Sequence, residues 1–166
     1  LNSYSNRVQK FDKNGNFIKE LIFSHDGSNF YSSRFLAIDI DENNNMYITD
    51  DSYGKPKVQV YSSEGEFIRS FGANTGLSTN DNYIGRPSDI NYYKGEVYVR
   101  DSYSSSTQSI KVFNAATGVF IRKITNSDII GYYSNYNFFI KNDQIYILKG
   151  GKIKKYSLYL GHFKKL

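Results

Sequence analysis

The sequence predicts an all-β fold built from four-stranded antiparallel units, and three observations predict it. Gly15, Gly65, Gly118 and Gly161 each close a short turn between two runs of alternating apolar and polar residues, at spacings of 50, 53 and 43 residues. A second, more apolar pair of runs lies between successive copies of the first. No stretch carries apolar residues at helical spacing over three turns, and the Ser-, Asn- and Tyr-rich connections would not propagate a helix.

Taken in order, the first element is the hairpin of Arg7-Val8-Gln9-Lys10-Phe11 and Gly15-Asn16-Phe17-Ile18-Lys19. Leu36-Ala37-Ile38-Asp39 and Met46-Tyr47-Ile48-Thr49-Asp50 follow across an Asp- and Asn-rich turn, and then comes a copy of the first hairpin, Lys57 to Tyr61 with Gly65 to Arg69. The cycle repeats as Ser88 to Asn91 with Val97 to Asp101, then Ser109 to Phe113 with Gly118 to Arg122. A last round runs through Phe138 to Lys141, Ile145 to Leu148, Lys152 to Tyr156 and Gly161 to Lys164. Period-2 alternation that ends in a Gly-terminated turn is a hairpin signature. Consecutive apolar positions, as at Leu36 to Ile38 and Phe138 to Ile140, mark strands with neighbours on both faces. A sheet of four short strands cannot bury both faces alone, so the copies must stack, and the radial way to stack them is a β-propeller.

The segments Arg7 to Phe17, and Ala37-Ile38-Asp39 through Met46 to Asp50, resemble NHL repeats over nearly the whole chain. The resemblance implies a propeller that closes with six blades. About three and a half are present: a half blade at 1–23 and blades at 35–71, 87–124 and 137–166. Such an arc is expected to be either part of a longer propeller or completed by further copies of itself, because an open arc leaves an apolar flank in water. Lys149-Gly150-Gly151 departs from the pattern, replacing the long Asp-containing connection of the earlier copies. The chain opens on Leu1 with no charged-then-apolar leader, which suggests a processed or incomplete N-terminus.

Composition narrows the chemistry. The 166 residues are 39% hydrophobic and 22% charged, which suits one domain with its own core. Apolar runs are only a few residues long, against the ~20 that a spanning helix needs. With no Cys and two His, the sequence excludes disulfide scaffolds, thiol catalysis and most histidine–metal sites. His25 and His162 lie at no repeated inner position, and the His-rich metal site of the amidating lyases that share the NHL repeat has nothing here to carry it.

Four groups of residues invite a function. Arg34 and Arg86 stand at matching places just before the innermost strand, with Tyr31, Tyr83, Tyr133 and Tyr136 in the same connections, so planar donors and stacking faces converge on one end of the propeller. Residues 141–166 hold seven Lys against one Asp, a net of +6, while residues 1–140 balance to −1; Lys149, Lys152, Lys154, Lys155, Lys164 and Lys165 form this basic end. Alternation on an outer strand expects its lysines to face water and guard an edge, and the RNA-reading NHL domains use such a surface. Asp39, Asp41, Asn43 and Asn45 place oxygens at alternating positions, a weak calcium pattern without the Gly and distal Glu of an EF-hand. Asp50 and Asp101 read as loop formers whose carboxylates accept local backbone N–H groups.

These readings predict a non-catalytic binding or assembly module without a cofactor, acting outside the cell or at its surface. Its expected partners are further copies of itself, the remainder of a longer propeller, or a protein or glycan. RNA binding through the basic end is the alternative from another class, and a fragment of a propeller hydrolase or lyase with its catalytic residues elsewhere is a third.

Overall fold

A computed structural model describes residues 7–23, 34–52, 55–73, 80–102, 108–125 and 136–158. Thirteen strands and no helix occur among them. β1 (Arg7–Phe11) and β2 (Phe17–Ile22) form a two-stranded sheet. β3 (Phe35–Ile40), β4 (Met46–Asp50), β5 (Lys57–Tyr61) and β6 (Phe67–Phe71) form the next. β7 (Pro87–Tyr93), β8 (Glu96–Asp101), β9 (Ser109–Asn114) and β10 (Phe120–Ile124) repeat it. β11 (Tyr136–Lys141), β12 (Gln144–Lys149) and β13 (Lys152–Ser157) give the described part of the last. Every pairing is antiparallel between consecutive strands. The hairpin half that contains Gly161, with His162, lies outside the described residues, as does His25.

The repeated turns have one mechanism. Asp12 accepts from the backbone N–H of Asn14 and Asn16 through Oδ1 at 2.8 and 2.9 Å, and Gly15 takes a φ of 85°. Ser62 does the same with its hydroxyl toward Glu64 and Glu66, ahead of Gly65 at φ 88°. A side-chain acceptor at the first position and a left-handed residue near the last satisfy the turn's amides and let the strands reverse. Gly118 has an added reason: a Cβ there would lie 2.7 Å from the Cβ of Phe71 on the neighbouring sheet.

The core is not one mass but three wedges between successive sheets. Phe23, Phe35, Met46, Ile48 and Tyr61 fill the first, with Val8 and Leu21 from β1 and β2 packed against them. Tyr47, Val58, Val60, Ile90, Val97 and Val99 belong to the second. Tyr98, Ile110, Val112, Phe138, Ile145 and Ile147 belong to the third. The sheets β3–β6 and β7–β10 therefore bury one face against the preceding sheet and the other against the following one, so β4 and β5 are buried at every position. That places Lys57, Gln59 and Lys111 in the interior, where alternation alone would have sent them to water.

β3, β7 and β11 lie side by side at the inner edge of the sheets. Their outward amides have no strand to pair with, and side chains of the preceding sheet take them. Asp39 Oδ2 accepts from the Tyr92 N–H at 2.6 Å and from Asn91 Nδ2 at 2.7 Å, while Asn91 Oδ1 accepts from the Ile140 N–H at 2.8 Å. Buried or inward amides without partners would each forfeit a hydrogen bond's worth of stability, so this side-chain ladder is what permits the strands to converge.

Candidate functional site

The strand pairing puts the starts of β3 and β7 and the ends of β4 and β8 at one end of the sheets, where the longer connections run. The tight turns occupy the other end, except for the one from Lys149 to Lys152 between β12 and β13. Arg34 and Arg86 precede β3 and β7 at the connection-rich end and are both exposed. Their backbones are held identically. Arg34 N–H donates to Asp50 Oδ1 at 3.1 Å, and Asp51 N–H donates back to the Arg34 carbonyl at 2.9 Å. In the next sheet Arg86 N–H donates to Asp101 Oδ1 at 2.8 Å, joined by Gly85 N–H at 3.1 Å, and Ser102 N–H returns to the Arg86 carbonyl at 2.9 Å.

Asp50 and Asp101 are therefore not local loop formers, as their sequence positions suggest. They are buried at the last positions of β4 and β8, and their amide partners lie 15–16 residues upstream, on the approach to the adjacent strand. Buried donors complete each carboxylate. Asp50 accepts from Gln59 Nε2 and Ser52 Oγ at 2.6 Å, with Lys57 Nζ at 4.0 Å. Asp101 pairs with Lys111 Nζ at 2.8 Å, and Lys111 also donates to the Tyr83 carbonyl.

Above this matched layer lies Asp51, whose Oδ2 is 3.2 Å from the Arg34 guanidinium. Burial raises its carboxyl above the ordinary value, and Arg34 and then Arg86 pull it back. Asp51 is thus ion-paired to Arg34 of its own sheet. At its equivalent position in the next sheet stands Ser102, bonded to Ser88 through the hydroxyls at 3.2 Å.

The tyrosines do not join this group as a set. Tyr136 opens β11 at 1% exposure, its ring 4.2 Å from the Arg100 guanidinium, which also donates to its carbonyl at 2.8 Å. Burial pushes its phenol up to about 12, with Arg100 opposing. Its ring is no stacking face for a ligand. Tyr83 is half-buried beside Lys111, while Tyr31 and Tyr133 lie outside the described residues.

The calcium pattern is dispersed for a physical reason. Asp41 caps its own turn through the Asn43 and Asn45 amides at 2.9 and 2.8 Å, repeating the Asp12 arrangement with Asn44 at φ 62° in the glycine's place. Asp39 faces the neighbouring sheet instead, on Asn91 and Tyr92. No group of three His, Cys, Asp or Glu able to hold a metal occurs among the described residues.

The basic end also divides, because side chains alternate across a strand. Lys152 pairs with Lys149 and Lys154 with Ile147, on the side that carries Tyr156, whereas Lys155 pairs with Tyr146 on the opposite side beside Ile153. Lys164 and Lys165 lie outside the described residues. The side with Lys155 is apolar and open: Phe139 stacks on Tyr146 at 4.6 Å, and Phe139, Leu148 and Ile153 are 49%, 51% and 70% exposed. Register makes Tyr146 the counterpart of Tyr47 and Tyr98, and Ile153 that of Val58 and Ile110, all four buried by the following sheet. The sequence expects an open arc to leave an apolar flank in water; the strand register identifies the residues of that flank as Phe139, Leu148 and Ile153.

A family model described as a 6-bladed beta-propeller matches residues 76–166, more than half of the 166-residue chain. The chain belongs to this 6-bladed beta-propeller family. Solved structures agree on the propeller fold. A protein of unknown function from Bacteroides caccae superposes with a TM-score of 0.60 at 13% identity, covering 98% of this chain and 54% of that one. A nidogen/laminin complex gives 0.62 at 14%, covering 97% and 55%. Virginiamycin B lyase from Staphylococcus aureus gives 0.60 at 14%, covering 98% and 48%. The propeller chain thus spans about half the length of the structures it matches. No curated protein sequence matches it. No helix among the described residues is long and apolar enough to cross a membrane.

Proposed function

We propose that this propeller segment is a non-catalytic binding and assembly module of the NHL type, acting at the cell surface or outside it, whose open β11–β13 face receives another blade of the same repeat. One observation carries the reading: Phe139, Leu148 and Ile153 are exposed on the face whose counterparts in both preceding sheets are covered by the next sheet. A contiguous apolar patch rimmed by Lys141 and Lys155 marks an association surface. The blade comes from a second copy or from further blades of the same polypeptide. With two His and no Cys, the sequence holds few of the side chains that nucleophilic or histidine–metal catalysis uses.

The test is light scattering on the 166-residue chain with Ile153→Glu beside it. The expected outcome is concentration-dependent association that Ile153→Glu abolishes, with unchanged far-UV circular dichroism in the variant. A folded monomer at micromolar concentration, whose dye-binding apolar surface is the same with and without Ile153→Glu, overturns the reading.

A further inference from the structure

We propose that Arg34 and Arg86 form a two-armed receptor for a single carboxylate group at the connection-rich end of the propeller. The inference stands apart from the open face of β11–β13 and shares no residue with it.

The first argument is placement. Each arginine backbone is fixed at both its N–H and its carbonyl by its own sheet, through Asp50 and Asp51 in one case and Asp101 and Ser102 in the other. Because β3 and β7 are neighbours, two equal anchors set two guanidinium stems at equivalent points of adjacent blades. A rigidly placed stem loses less freedom on binding than a loop side chain does.

The second argument is charge. Beneath the arginines, Asp101 is matched by Lys111, and Asp50 by Gln59, Ser52 and the more distant Lys57. In the outer layer Asp51 pairs with Arg34, and Ser102 stands where Arg86 would meet the matching carboxylate. Among the described residues this layer holds one guanidinium, that of Arg86, with no carboxylate of its own. Among the described residues the Arg34 side chain, 52% exposed, meets only Asp51 with its five donors, and the Arg86 side chain has no partner.

The third argument selects the ligand. A planar monoanion fits fork-shaped donors and cancels the single excess charge. A phosphate dianion would carry a second negative charge toward Asp51, with Asp50 and Asp101 close behind it, and is disfavoured. Two sources share the carboxylate chemistry: a uronic-acid sugar and the C-terminus of a peptide.

The experiment follows the arginine Nε–H signals by NMR while the intact chain is titrated with glucuronate, N-acetylglycine, glucose or inorganic phosphate at constant ionic strength. Saturable shifts at both Arg34 and Arg86 are expected with one or both carboxylates, and which of the two binds tighter identifies the source. Glucose should leave them unmoved and phosphate should bind more weakly. Arg34→Gln or Arg86→Gln should each weaken the carboxylate by about tenfold, the loss of one charge-assisted hydrogen bond. Shifts no larger than those from chloride, a response at only one arginine, or equal affinity for phosphate overturn the proposal. Association through Ile153 would be untouched by either arginine substitution, so the two readings fail separately.

Discussion

The sheets β7–β10 and β11–β13 are copies of one repeat with different surroundings. The first is covered on both faces and its β8 ends in the buried Asp101; the second is covered on one face, and Lys149 takes the corresponding place. The difference shows what a repeat specifies and what its neighbours supply. Strand register and turn chemistry travel with the repeat, whereas burial belongs to the pair of adjacent copies. The acid clamp at the end of β8 reaches back to the Gly85 and Arg86 amides on the approach to β7; in the last sheet the same place is held by Lys149, which opens the tight Lys149-Gly150-Gly151-Lys152 turn.

Substitutions at matched places sharpen that contrast. The largest effect belongs to Asp101→Ala, which strands the buried Lys111 ammonium and the Gly85 and Arg86 amides, at a loss of about 3–5 kcal/mol by urea denaturation. Pairing it with Lys111→Met should recover part of that loss; no recovery would mean that the ion pair is not what the clamp protects. Next comes a pair of isoleucines on opposite faces of one sheet. Ile147→Ala, on the covered face, should cost about 2–5 kcal/mol, and Ile153→Ala, on the open face, about 0.5 kcal/mol or less when the chain is dilute. Equal losses would refute the difference between the faces.

The smallest effect is a pH dependence. Glu96 is held below the usual carboxylate range by Arg122, against a cost of partial burial, and its counterpart in the last sheet is the uncharged Gln144. A lowered native value means that this pair stabilises the fold above the unfolded carboxyl's range and stops doing so as pH falls through the native one. Glu96→Gln should therefore lose less stability than the parent between neutral pH and about pH 3. An identical acid profile would show that Arg122 contributes nothing through Glu96.

Much of the fold is legible in the chain because its turns are chemically explicit. Asp12 with Gly15 and Ser62 with Gly65 announce their hairpins, and Asp41 with Asn44 follows the same rule without a glycine. The site is less legible. The partners of Asp50 and Asp101 become visible only once β3 is paired with β4 and β7 with β8, since the contacts span 15–16 residues. Gln59 and Lys111 look like solvent-facing alternates because period 2 distinguishes two faces of a strand but not whether a second sheet covers the outer one. The lysines of β13 look like one patch for the same reason, and the strand divides them.

The bonds from Asp39 to Tyr92 and from Asn91 to Ile140 give the arc a direction. Each acceptor sits in the earlier sheet and each donor in the later one, so docking of a newcomer is recorded in the solvent protection of a single amide on its own first strand. Deuterium uptake at Tyr92 and Ile140 would then report, one blade boundary at a time, how cooperatively neighbouring wedges open, and would separate fraying at the rim from unfolding of the whole.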